Sequence, residues 1–231
     1  MTLDANFWPA LWSLAAASGT RPEIFLTVWF AESGLDPSIV NKDGCIGLNQ
    51  TCPKEIGGPG FPTTPEAYAA LPASEQVAWI APQVLSQVKL NGGPFQSAAR
   101  YYQANFMPAT LTTAKRAGDV IASKFGPYAM EYANNAGLDM NKDGKITLSD
   151  LGDFLVHVVN DYGFDVDKGA PLSTAIHTAY LHAPPRALWT SPALAIRERG
   201  PAVASKGRGG AVVIALCFGG LLAAAGARGR R

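Results

Sequence analysis

Residues 22–50 read PEIFLTVWFAESGLDPSIVNKDGCIGLNQ, and this stretch decides both the fold and the place to look for chemistry. Pro22 suits the first position of a helix, where its missing N–H is not needed. Ile24, Phe25, Val28 and Trp29 recur at helical spacing, and Glu32 falls on the same stripe, at i+4 from Val28 and i+8 from Ile24. Gly34 is placed to end the helix in the left-handed conformation. The carboxyl group of Glu32 is therefore expected to face apolar neighbours at a helix C-terminus, where the partial negative charge of the macrodipole disfavours an anion. Burial and dipole both push its pKa upward, toward what a general acid needs near neutral pH. Position alone does not distinguish it from an ordinary surface glutamate at a helix end.

Around this stretch the chain alternates helical patterns with Gly/Pro-rich loops as far as residue 130, with no convincing strand alternation. A first helix is expected over Phe7–Ser18, followed by a turn at Gly19-Thr20-Arg21. Val77, Ile80, Ala81, Val84, Leu85 and Val88 mark an amphipathic helix, another begins near Ser97, and a fifth is expected over Thr112–Lys124. Cys52–Pro65, rich in Pro and Gly, reads as a long loop. The fold class is mainly α. A helical domain occupies residues 1–130, a small helical unit 131–182, a Pro/Arg-rich linker 183–208, an apolar run 209–227 and a basic tail 228–231.

The chain has 231 residues, 48% of them hydrophobic, with a formal net charge of +1, a balance that argues against intrinsic disorder. The same balance removes the case for nucleic acid as a partner, which would show as a strongly basic face. Cys45, Cys52 and Cys217 are too few and too scattered for a disulfide scaffold or a zinc finger. Cys45 and Cys52 are read as two free thiols; working outside the cytoplasm, they would instead be able to close a short loop.

Glu32-Ser33-Gly34-Leu35-Asp36-Pro37, then Val40-Asn41, then Gly44-Cys45-Ile46-Gly47-Leu48-Asn49-Gln50, resembles the first two motifs of the lytic transglycosylase and goose-type lysozyme group. The third motif of that family, Tyr-Asn-Ala-Gly, is matched more loosely by Tyr102-Gln103-Ala104-Asn105. The resemblance covers roughly residues 5–125. Asn49 stands where the family has Met, Cys45 where it has a small Ala, and Gln103 and Asn105 where it has Asn and Gly.

The resemblance implies a lysozyme-like helical domain acting on peptidoglycan glycan strands. Glu32 would protonate the oxygen between N-acetylmuramic acid and N-acetylglucosamine, then act as base toward the muramoyl 6-hydroxyl, giving a 1,6-anhydro product. Gln50, Tyr102 and Gln103 would contact the sugar, and Ser33 would hold the Glu32 carboxyl or the substrate N-acetyl group. No cofactor is implied for catalysis. A single carboxylate suffices where the acetamido group assists, whereas most glycosidases need two. Asp36 and Asp43 each adjoin a turn residue and are read as turn formers. A hydrolytic muramidase using water is the alternative within the same class. A non-catalytic glycan-binding structural protein of a membrane or virion is the alternative of another class.

Asp139-Met140-Asn141-Lys142-Asp143-Gly144-Lys145-Ile146, continuing to Asp150, resembles an EF-hand loop, in a variant similar to dockerin modules. Asp139, Asn141 and Asp143 would supply side-chain oxygens, Gly144 the sharp turn, Lys145 its carbonyl, and Asp150 the twelfth position, where Glu is usual. A structural Ca2+ ion is the expected cofactor, with a helix following over Leu148–Val159. The acidic run Asp161–Asp167 lacks Gly at the sixth place and is a weak second loop.

Gly209–Ala227 has no charged residue and would span about 28 Å as a helix, just under the roughly 30 Å hydrocarbon core. Ala215/Gly219 and Gly220/Ala224 have the small-xxx-small spacing of packed membrane helices. A single transmembrane helix is expected, with a buried helix of a soluble protein as the alternative. Met1–Phe7 carries Asp4 and no Lys or Arg, so no cleaved secretory leader is expected. Together these features point to a membrane-anchored protein whose catalytic domain faces the cell wall, with a bacteriophage virion as a candidate source.

Overall fold

A computed structural model of the chain describes residues 3–56, 64–162 and 172–183. The described part is mainly helical, and none of its helices is long and apolar enough to cross a membrane. The expected span at 209–227, the linker before it and the acidic loop beyond residue 162 lie outside the described residues.

Helix α1 (Phe7–Ser18) ends at Gly19, whose φ of 68° is left-handed and where a Cβ would stand 2.8 Å from Pro94 Cγ. Helix α2 (Pro22–Ser33) begins at Pro22 as expected and closes with the Gly34 N–H on the Phe30 carbonyl. Ten of its twelve residues are buried, so it is apolar all round and forms the centre of the core rather than one wall. A short helix α3 (Pro65–Ala69) leads into α4 (Ala73–Asn91), which buries Val77, Ile80, Ala81 and Val84 and packs along α1. Pro82 lies inside α4 on its exposed face, directly above exposed Ala78, so the carbonyl that loses its helical partner can turn to water. Ser97 caps α5 (Ala98–Phe106) by accepting the Arg100 N–H, and every residue from Arg100 to Phe106 is buried.

The helix expected over Thr112–Lys124 does not form. Both carboxylate oxygens of Asp119 engage the chain just before it, Oδ2 accepting the backbone N–H groups of Lys115 and Arg116, which turns this segment instead of coiling it. The chain then runs as strand β1 (Val120–Ser123), antiparallel to β2 (Lys145–Thr147), with Ala122 opposite Ile146. Val120 and Ile121 are β-branched, and a partner strand 25 residues away in sequence decides their state.

Helix α6 (Ala129–Asn134), the loop of residues 139–144, β2, α7 (Leu148–Tyr162) and α8 (Leu172–Leu181) make up the segment read as a second unit. These elements have no core of their own. Leu151, Phe154, Leu155 and Val158 of α7, and Leu172, Ala175 and Ala179 of α8, join the same apolar cluster as α1, α2 and α5. Polar clasps reinforce the docking of α8: Trp12 Nε1 donates to the Ala179 carbonyl at 2.7 Å, and Tyr180 donates to Glu23 at 2.7 Å.

Candidate active site

The last turn of α2 places Glu32 against the core with only 7% of its surface exposed, as its place on the apolar stripe predicts. Its Oε1 is buried and has no hydrogen-bond partner. Burial pushes its pKa up to about 8, and the one opposing influence is a hydrogen bond from the Tyr102 hydroxyl. Below that value the carboxyl carries its proton, so at neutral pH this is an acid with a hydrogen to give. Tyr102 is itself raised well above its ordinary value, by burial and by the neighbouring carboxyl.

The loop beside it is held from several sides. A disulfide joins Cys45 to Cys52, so the expectation of two free thiols is corrected. Ile46 pairs with both Val40 and Thr51, folding the loop into a tight double bridge that brings the two sulfurs together. Gly47 has a φ of 74°, and a Cβ there would meet Gln76 Oε1 at 2.1 Å, so glycine is required for two reasons. That same Gln76 oxygen accepts the Leu48 N–H at 3.0 Å, while its amide nitrogen reaches the carbonyls of Pro37 and Tyr68.

Ser33 ties helix to loop. Its hydroxyl lies 2.8 Å from the Trp29 carbonyl and 3.2 Å from the Leu48 carbonyl, and its donor is spent on backbone rather than on the Glu32 carboxyl. Gln50 adopts a left-handed φ of 48°, donates its amide to the Gly47 carbonyl at 3.0 Å, and keeps a buried Oε1 without a partner. Glu32 and Tyr102 thus meet at the end of α2, and Ser33 fastens that end to the loop at Leu48.

Gln103 is not part of this assembly. It is fully buried, its carbonyl accepts from Arg100, and its amide nitrogen donates to Thr110 and the Ala114 carbonyl. Every polar atom of the side chain is used in fastening α5 to residues 110–114, which corrects the expectation that it contacts substrate. The reason is helical phase: Tyr102 and Gln103 are adjacent in sequence and point about 100° apart around the helix.

Two departures from the motif pattern turn out to be partners. Asn49 Oδ1 accepts from Asn105 Nδ2 at 2.6 Å, from Trp29 Nε1 at 3.1 Å and from the Tyr101 hydroxyl at 3.1 Å. One carbonyl oxygen therefore joins α2, the loop and α5. The Asn105 oxygen is left buried without a partner. Sequence reasoning missed Tyr101 and Trp29 as members of this network; the signal available was two adjacent tyrosines on an otherwise buried helix. It also missed Glu55, raised by burial and accepting the Cys52 N–H at 3.1 Å, and Phe154, stacked on Tyr102 with centroids 5.8 Å apart.

The loop of residues 139–150 has the turns of the expected calcium site. Lys142 and Gly144 are left-handed, at φ 60° and 86°. Asp139 accepts the N–H groups of Asp143 and Gly144 and the Tyr132 hydroxyl, Asn141 accepts from the Asp143 N–H, and Asp143 from the Lys145 N–H. Asp150 is 1% exposed and caps α7, accepting from the N–H and hydroxyl of Thr147. Among the described residues no three His, Cys, Asp or Glu side chains gather to hold a metal ion. The oxygens of Asp139, Asn141 and Asp143 accept N–H groups of the loop itself, and Asp150 and Thr147 exchange hydrogen bonds at the start of α7.

Compared with family models, with curated proteins and with solved structures, the chain matches none.

Proposed function

We propose that this chain cleaves the β-1,4 bond between N-acetylmuramic acid and N-acetylglucosamine in peptidoglycan, as a lytic transglycosylase. The observation that carries the reading is a buried Glu32, its pKa pushed up to about 8, with one oxygen free of any partner and the Tyr102 hydroxyl on the carboxyl, beside the Gly47–Gln50 loop. The motif resemblance of residues 32–50 supports the same assignment.

The proton of Glu32 passes to the bridging glycosidic oxygen as the bond from that oxygen to muramoyl C1 breaks. The substrate acetamido group offsets the cationic charge at C1, so no second carboxylate is required. Asp36 is engaged in its own turn with Ser38, and Asp43 pairs with Lys42, in keeping with that scheme. The Glu32 carboxylate then takes the proton of the 6-hydroxyl while O6 bonds to C1, which returns the acid to its starting state. Tyr102 steadies the carboxylate form between the two steps. Gln50 and Asn105 each present a buried, unpartnered carbonyl oxygen, suited to accept N–H or O–H groups of a sugar.

Calcium in the 139–150 loop, with Asp139, Asn141, Asp143 and the Lys145 carbonyl as donors, is proposed as a structural adjunct that takes no part in the chemistry. Membrane anchoring through residues 209–227, with the domain facing the wall, belongs to the same reading.

The test is a digest of purified peptidoglycan analysed by mass spectrometry. Anhydromuramic ends released by the wild type and absent with Glu32→Gln are the expected result. Reducing ends would assign the chain as a hydrolase, and no release by the wild type would overturn cleavage altogether.

A further inference from the structure

A cavity of about 930 Å³ opens between β1, α6, the 139–145 loop and α7, with Phe154 in its wall. Its size lies at the upper end of small-ligand sites. Phe154 both lines the cavity and stacks on Tyr102, with ring centroids 5.8 Å apart, so the two places share one side chain.

The chemistry of the lining is cationic and aromatic. Lys124, Lys142 and Lys145 are exposed around it and form no ion pair among the described residues. Two carboxylates also stand in the wall, Asp139 held by two backbone N–H groups and the Tyr132 hydroxyl and Asp143 by the Lys145 N–H, and the three ammonium groups outnumber them. Phe125 stands at the lip 85% exposed with the Lys124 ammonium 5.5 Å from its ring centre. An exposed phenyl ring beside free ammonium groups is suited to a ligand that is partly apolar and carries carboxylates.

We propose that this cavity is a subsite for the acidic peptide stem attached to the glycan strand. The inference rests on the cleavage reading for the identity of the strand, and adds that the chain distinguishes peptide-bearing strands from bare ones. A stem leaves the muramoyl lactyl group next to the scissile bond, and a cavity that shares Phe154 with the Tyr102 stack adjoins the acid's own partner.

The experiment uses the full chain carrying Glu32→Gln, so that binding is read without cleavage. Its probes are wall glycan freed of phosphate polymers, either with its stems or stripped of them by an amidase. Sedimentation should show roughly tenfold tighter binding to stem-bearing strands. Adding Lys124→Glu and Lys142→Glu should abolish that preference and leave binding to stripped strands unchanged. Equal binding to both probes before the lysine changes overturns the subsite, as does an equal loss on both probes after them. Failure of the wild type to cleave would sink the cleavage reading and leave this binding ratio fully readable.

Discussion

Glu32 and Asp139 are both carboxylic acids with little exposed surface, and their surroundings send them in opposite directions. Around Glu32 burial dominates and only the Tyr102 hydroxyl opposes it, so the proton is held to about pH 8. Around Asp139 burial also raises the pKa, but the Tyr132 hydroxyl and the N–H groups of Gly144, Asp143 and Lys142 outweigh it, and the group stays below its ordinary value. Two things differ: Glu32 lies deep in the core with one donor, whereas Asp139 lies nearer the surface with several. A helix end presents carbonyls to a carboxylate, whereas a tight loop with two left-handed residues turns its N–H groups inward. One region favours the protonated acid; the other favours the carboxylate.

The largest effect expected from breaking this contrast is on activity. Glu32→Gln keeps the shape and removes the transferable proton, and should lower lytic activity by about 10²–10⁴-fold in a turbidity assay on purified walls. Activity near wild type would remove the acid from the mechanism.

Next in size is the polar tie behind the acid. Asn49→Ala would leave the Trp29 N–H, the Tyr101 hydroxyl and the Asn105 amide without their shared acceptor, at a cost of about 3 kcal/mol in urea unfolding. Changing both positions together, Asn49→Met with Asn105→Gly, should cost less than the sum of the single changes. Strict additivity would show that the two positions are not coupled.

The pH dependence sharpens the contrast further. Glu32 has a folded pKa of about 8 against an ordinary value of 4.5, so between these pH values the folded chain binds more protons than the unfolded chain. Stability should therefore fall as pH rises across this window, by at most about 1.4 kcal/mol per pH unit. In Glu32→Gln that contribution disappears, which thermal melts of the two proteins at a series of pH values would read directly. Activity should decline above pH 8, where the acid form is lost.

The smallest effect belongs to the loop. Calcium at about ten times its dissociation constant would stabilise the fold by about 1.4 kcal/mol, a rise of roughly 3–5 °C in melting temperature. Asp139→Asn should abolish the rise and Glu32→Gln should leave it intact; no rise in the unaltered chain would remove the cation from the loop.

Much of the fold was legible because its signals are local. Helices Phe7–Ser18 and Pro22–Ser33, the cap at Ser97 and the left-handed Gly34 follow from spacing, proline placement and turn chemistry within a few residues. The segment after Thr112 was not legible, since Ile121 and Ala122 become a strand only where β2 offers backbone partners. That residues 131–182 share the core of the first segment was illegible for a similar reason: the apolar face of α7 is plain in the sequence, but nothing there says that it covers α5. At the candidate site, Glu32 and Tyr102 were found by motif, while Gln103 was misplaced by its neighbour's phase on the helix.

The sequence by itself determined that the chain is mainly helical, that Glu32 ends an apolar helix, that Gly34 closes that helix and Gly144 marks a sharp turn, and that a run of oxygen donors occupies residues 139–143. Tertiary structure alone decided that Cys45 meets Cys52, that Asn49 gathers three donors, and that Phe154 backs Tyr102. The physical reason is range. Helix periodicity, capping and turn preference act over a few residues and are written in local order. Desolvation of a carboxyl and the sharing of a buried acceptor depend on which distant segments close over it, and that is settled only when the core packs.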